Sequence, residues 1–376
     1  MYEIFPEEPS VQPTSPVPVH FVVGLDAADQ ALLAFGIQVD LPSAAVVTVS
    51  ADADEGVVRW VVADLSGVIQ RGQEDVAHPW PTCSIREAVL PTLVRLAQVG
   101  AWSHLVAVLP VAAEPLPMVA AIAEGEVGGV PAARWLQVAS VAAAVSSPDL
   151  CATVFDDPLL ADMGLAMVED DRRAYGEVLV SQIELADDIV LVAGALDESD
   201  TGLLDHLRRP TSRVHLGLES FGAAPDARHD VEAARSYVDP RRRRASGAAA
   251  AGGIVTVVLE SWKPFHPERL LERIEDLGSG DLRGRGAFWL PGRPGAAIAW
   301  EAAGAALSIG GIGDWSDVER MTRLVITTDE ETACVVREAF QAALMTDAEM
   351  ISAQARWAGR DDGFGQWLGD IETGAA

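Results

Sequence analysis

Asparagine is absent from this 376-residue chain, and lysine occurs once, at Lys263. Any chemistry that needs a lysine ammonium therefore has one candidate. Cysteine is scarce: Cys83, Cys151 and Cys334 are widely spaced and odd in number. Three such thiols build no disulfide framework and fit a reducing, cytoplasmic setting. Positive charge is in short supply, with Lys+Arg 27 against Asp+Glu 56 and a formal net charge of −29. A polyanion of that size repels phosphates, which argues against DNA as a partner, although a local basic contact stays open. No run of about 20 apolar residues is present, so no membrane span is expected. The acidic, Pro-rich start has neither the basic nor the apolar region of a signal peptide.

What is present is globular: 49% apolar and 22% charged residues, in a length that suits two or three domains. Residues 1–17 read as a flexible arm. From 18 to 225, short apolar runs alternate with amphipathic stretches, such as His20 to Val23, Leu25 to Phe35, Ala44 to Ser50 and Ile85 to Ala97. That alternation predicts a doubly wound α/β domain on a mainly parallel sheet. Residues 226–252, with Arg241 to Arg244 followed by small residues, read as an exposed linker. From 253 to 349 the order β-α-β-β-β-β-α predicts a small ferredoxin-like α+β domain. Residues 350–376 form a tail whose Trp357, Phe364 and Trp367 are expected to dock onto the body.

The strand, glycine and helix at Val22 to Leu33 stand where a phosphate-binding loop would stand. Such a loop needs Gly-x-x-x-x-Gly-Lys-[Ser/Thr], so that backbone N–H groups wrap the phosphates and the lysine neutralises them. Here the stretch reads GLDAADQA. Gly24 remains, the second glycine, lysine and hydroxyl are gone, and Asp26 and Asp29 put negative charge in their place. The guanine-reading Asn-Lys-x-Asp motif is excluded for want of asparagine. Cys83 has His78 nearby but no second cysteine, so a metal site there would need ligands from elsewhere in the fold. The acids from Asp156 to Asp171 lack metal-loop spacing and read as a solvated loop. No Gly-x-Ser-x-Gly elbow and no protease-like Cys/His pair occur.

Three segments together resemble the CobW-type P-loop GTPase and metallochaperone family. They are TCSIREAVLPTLVRLA (Thr82 to Ala97) with Glu114-Pro115 beyond it, YGEVLVSQIELADDIVLV (Tyr175 to Val192), and WKPFHPERLLERIE (Trp262 to Glu275) followed by RGRGAFWLPGRP and GDWSD. The last group is similar to the CobW C-terminal domain. The resemblance runs from about Pro18 to Met350 and is strongest after Gly253. It implies a degenerate P-loop-like domain joined to a CobW C-terminal domain. The departures are plain: the P-loop and guanine motifs are lost, and Trp80 and Thr82 replace two of three motif cysteines, leaving Cys83.

A subgroup of actinobacterial paralogues, tied to zinc-responsive genes, is similar in its weak P-loop and in the stretch from Ala342 to Trp367. This resemblance implies a non-catalytic, cytoplasmic adaptor that recruits a ribosome hibernation factor to the small ribosomal subunit when zinc is scarce. No cofactor is then expected, and Trp262, Lys263, Phe265, His266, Arg269, Arg283 and Arg285 are the candidate partner surface. The alternative is a GTP-dependent zinc or cobalt metallochaperone using Cys83. A third reading, an unrelated enzyme in the α/β cleft, has only fold analogy behind it.

Overall fold

The computed structural model describes residues 15–52, 55–75, 81–146, 149–156, 158–168, 171–304, 306–315 and 318–369. Most of the expected arm and the end of the tail lie outside them. The elements in the first half of the chain are β1 (Val17–Gly24), α1 (Ala27–Asp40), β2 (Ala44–Asp52), β3 (Val57–Asp64), β4 (Gly67–Asp75), α2 (Pro81–Val99), β5 (His104–Val108), α3 (Leu116–Glu124), the short pair β6 (Glu126–Val127) and β7 (Val130–Pro131), and β8 (Leu136–Ser146). They continue with α4 (Leu150–Phe155), α5 (Tyr175–Leu185), β9 (Asp188–Ala193), α6 (Glu198–Leu207), β10 (Arg213–Leu216) and α7 (Val231–Val238).

The main sheet has the order β10-β9-β8-β1-β5-β2-β3-β4. Neighbours from β10 to β2 are parallel, and β3 and β4 extend the edge antiparallel. β1 and β8 are buried along nearly their whole length. Central parallel strands covered on both faces are mostly apolar, and so are these, with His20 and Ser140 as buried polar exceptions. The doubly wound expectation therefore holds, with one addition. β4 carries almost no apolar alternation, because it is a mostly exposed edge strand; pairing with β3 makes it a strand, and its own pattern does not.

Polar side chains also sit deep in this sheet, His20, Ser140 and Asp188 among them. His20 of β1 is 1% exposed and shares a 2.9 Å hydrogen bond through Nδ1 with the Ser140 hydroxyl. Burial, then the neighbouring His104, push its pKa down to about 4 against a smaller opposing pull from Asp188. A histidine lowered from 6.5 takes up its proton first in the unfolded chain. Stability is therefore full above about pH 6.5, falls down to about pH 4, and levels off below. The total is about 3 kcal/mol. Urea denaturation between pH 7 and 5 should show this slope, and His20→Gln should flatten it.

The second sheet is built from β11 (Ile254–Ser261), β12 (Leu282–Phe288), β13 (Ala296–Ala303), β14 (Ala306–Asp314) and β15 (Thr322–Asp329), in the order β11-β15-β12-β13-β14. All neighbours are antiparallel. Its helices are α8 (Pro267–Glu272), α9 (Ile274–Gly278) and α10 (Glu330–Ala343), followed by the tail helices α11 (Asp347–Met350), α12 (Ala353–Trp357) and α13 (Gly365–Leu368). The ferredoxin-like α+β expectation holds. The single helix that the expected order places after the first strand is instead split into α8 and α9 at Arg273, whose φ of −114° and ψ of 9° leave the helical region. Phe265, Phe288, Trp300, Phe340 and Phe364 lie in one core. Tail residues Trp357 and Phe364 are 1% and 0% exposed, so the tail docks as expected.

The chain forms two compact units: Met1–Pro148 with Pro158–Ala195 and Arg208–Arg235, and Asp149–Asp157 with Leu196–Leu207 and Ser236–Ala376. The segment 226–252 was expected as solvated linker, yet it contains α7 and a buried arginine. Arg243 is 5% exposed, lies 4.2 Å over the Tyr237 ring and donates to the Tyr237 carbonyl. Arg241 pairs with Asp239 and donates to the Asp314 carbonyl. Arg241, Arg242 and Arg243 are held by Asp239 and Tyr237 a few residues upstream and by the Asp314 carbonyl far downstream, which a composition argument overlooks.

Candidate functional site

The carboxyl ends of β1, β5 and β8 meet α1 and α5 at Gly24. In open parallel sheets this is the edge where ligands bind. Only Leu25 and Asp26 separate the end of β1 from the start of α1. Two residues are too few to wrap a phosphate in backbone N–H groups. The donors at the head of α1 are also already used: the Asp26 carboxylate accepts from the Ala28 N–H at 2.8 Å and the Asp29 N–H at 3.0 Å. This is an ordinary N-cap, but it sits where a phosphate needs those same donors. Asp29 adds a second acid in the first turn. Burial, then Asp26 and Asp29, raise the pKa of the nearby Tyr175 phenol, as expected where negative charge gathers.

The space behind Gly24 is filled by two buried amides. Gln30 of α1 is 2% exposed and donates to the Leu109 carbonyl at 3.2 Å and the Gly24 carbonyl at 3.4 Å. Gln182 of α5 is fully buried and donates to the Ala113 carbonyl at 2.9 Å, with a long 3.5 Å contact to the Gly24 carbonyl. The Ala112 N–H also donates to the Gly24 carbonyl, at 3.2 Å. Glycine is needed here by close approach: a Cβ on Gly24 would lie 3.1 Å from both the Ala144 carbonyl oxygen and the Gln30 Cγ. The nearby cation, Arg173, is committed. It grips Asp171 through Nε at 2.9 Å and Nη2 at 2.8 Å, and reaches Glu114 and the Ala112 carbonyl through Nη1. Asp171, expected in a solvated acidic loop, is 7% exposed and anchored by this arginine.

A nucleoside triphosphate does not fit these residues. Its phosphates would meet the Asp26 and Asp29 carboxylates, no ammonium, and donors already spent. Asp26→Ala should cost about 1 kcal/mol of stability, the usual loss of an N-cap. Thermal melts check this.

For metal, Cys83 lies in the first turns of α2, but its side chain is outside what the structure describes, as are His78 and Trp80. Among the described residues no group of three or more His, Cys, Asp or Glu could hold a metal ion. Burial, then Asp200, Asp149 and Asp197, push the Cys151 thiol up to about 12, so it is not a thiolate at neutral pH.

The expected partner surface divides. Trp262 is 58% exposed, with the Lys263 ammonium 5.8 Å from its ring centroid and 2.7 Å from Asp347. Phe265 is a correction: it is fully buried, with its ring centroid 5.5 Å from Phe288 and 5.3 Å from Phe340. His266 is likewise interior, edge-on to Trp357 at 5.5 Å. Burial, then the Arg269 charge, lower its pKa. Arg283 is buried, pairs with Glu301 at 3.0 Å and donates to the Ala302 carbonyl. Arg285 pairs with the same Glu301 at 2.6 Å, and Arg269 makes a two-pronged pair with Glu349. Aromatic and basic residues in this stretch build the core and lock the tail, and Trp262 is the one of the seven classed as exposed.

Sequence reasoning missed Gln30, Gln182 and Arg173. Gln30 had a signal, since it occupies the buried face of α1 with Leu33, Ala34 and Ile37. A glutamine among those positions must find partners inside the fold.

The sequence profile of the cobalamin synthesis protein cobW C-terminal domain matches residues 254–344, the second sheet with α10. The chain is 30% identical, over 399 aligned positions covering 94% of both chains, to a Mycobacterium tuberculosis protein named a zinc chaperone. An uncharacterized Mycobacterium bovis protein matches to the same extent. Among solved structures, Zn(II)-bound YjiA GTPase from E. coli aligns with a TM-score of 0.31 and 15% identity, over 88% of this chain and 99% of that one. A Zn(II)-bound triple mutant of YjiA aligns with a TM-score of 0.35 and 16% identity over the same shares. Similarity along nearly the whole length, with the matched domain on the second sheet, makes this chain a member of the CobW-type family.

Proposed function

We propose that this CobW-type chain is an adaptor that keeps the nucleotide-domain scaffold without turning over nucleotide. The observation that carries this reading is the head of α1, where Asp26 takes the N–H groups a phosphate would need. The resemblance supplies the setting: in the cytosol, under zinc limitation, the chain brings a ribosome hibernation factor to the small ribosomal subunit. Trp262, exposed beside Lys263, is where the second unit would meet a partner. Two measurements test it. Calorimetry with GTP–Mg²⁺ should give a flat trace, and a saturable heat would overturn the reading. The chain should co-sediment with ribosomes from zinc-depleted cells when the hibernation factor is present, and its absence from that fraction would remove the partner.

The second reading is a GTP-dependent zinc chaperone, with zinc as cargo. It is favoured by the M. tuberculosis relative named a zinc chaperone. It requires zinc binding that Cys83→Ser abolishes, together with GTP affinity in the same protein.

A further inference from the structure

Beside the blocked Gly24 edge lies a cavity of about 420 Å³, walled by α1, the carboxyl half of β2, the segment after β5 and residues 164–167. Its origin is readable in α1. Ala27, Ala31 and Ala34 recur at helical spacing toward β2, and such small side chains leave room between helix and sheet. In a chain that is 22% charged, none of the described residues lining this cavity is ionisable. Phe35, on its wall, is 61% exposed. A large exposed aromatic at an uncharged concavity marks a recognition site more often than idle surface. One polar group is left over. The Gln38 amide nitrogen, also on the wall, is buried and has no hydrogen-bond partner among the described residues. A buried N–H donor without a partner costs roughly 1–3 kcal/mol, and an acceptor on a ligand would recover it.

We infer that this cavity binds a neutral, mainly apolar small molecule carrying a hydrogen-bond acceptor that meets the Gln38 amide. The volume lies within the range of small-molecule sites, roughly 300–1,000 Å³. The described lining offers no charged partner to a nucleotide, a free phosphate or a metal ion, which favours a neutral occupant; Gln30 borders both this cavity and the Gly24 edge.

Nile red, a neutral apolar dye with a carbonyl acceptor, probes the site in the full-length protein. It should bind saturably, with a blue-shifted emission. Ala31→Trp on α1 and Ala166→Trp on the opposite wall should each weaken it at least tenfold while leaving the thermal melt unchanged. Ala31 is exposed on its helix, so its replacement tests occupancy without touching the core; if either variant fails to fold, the other decides. Gln38→Leu should weaken binding about three- to tenfold, the value of one hydrogen bond. No saturable binding, or binding indifferent to both tryptophans, overturns the site. Unchanged affinity in Gln38→Leu overturns the assigned acceptor.

Discussion

Arg173→Ala should lower the unfolding free energy by about 3–5 kcal/mol, the cost of leaving one member of a buried ion pair alone. The Asp171 side chain is 3% exposed. Burial by itself would push its carboxyl up; the Arg173 guanidinium and the Met167 N–H bring it below the ordinary value instead. Removing the arginine leaves that carboxylate with backbone donors only, at 3.2 Å from Met167 and Arg173. It also frees the Ala112 carbonyl, on a residue whose φ of 63° is unusual for anything but glycine. The segment packed on Gly24 thus loses its tether along with the charge balance. Urea denaturation reads the loss. The double variant Arg173→Ala/Asp171→Ala should recover most of it, because no uncompensated charge then remains. Additive losses would show that the pair is not the source.

Phe364→Ala should cost the second unit about 3–5 kcal/mol, the range for emptying a fully buried phenylalanine site. Phe364 is 0% exposed and lies against Phe288 and Trp367 at centroid distances of 6.5 Å and 5.4 Å. It arrives there on a latch. Arg293 donates to Asp362 at 2.8 Å and to the Gly369 carbonyl at 2.7 Å, and Asp362 accepts from the Phe364 N–H at 3.0 Å. The turn depends on Gly363, whose φ is 78° and whose missing Cβ would lie 2.8 Å from Leu271. The measurable signs are a lower melting temperature and faster proteolysis of the tail. Trp262→Ala, on an exposed side chain, should leave stability within about 0.5 kcal/mol and serves as the control.

Much of this fold was legible because its elements announce themselves locally. β1, β5 and β8 are apolar runs, and α1 and α10 each begin at an aspartate N-cap. β4 and the split between α8 and α9 were not, since an exposed edge strand takes its conformation from its neighbour. The site divides the same way. Trp262 is exposed and Lys263 partly so, whereas Phe265 and Arg283 are interior. Whether an aromatic or an arginine faces solvent or core depends on what packs against it, here Phe340 from α10 far along the chain and Glu301 from the neighbouring strand β13.

The amino-acid order by itself determined that the stretch at the head of α1 supplies two acids and no lysine. Those two charges need no tertiary information, because the residues adjoin one another in sequence; the cation nearby, Arg173, is brought there by the fold. How the space behind Gly24 is used was decided only by the tertiary structure. Gln182 comes from 158 positions away to reach its carbonyl, and Gln30 spans 79 to reach Leu109. Contacts at such separation are set by strand order and helix packing, which local patterns do not encode.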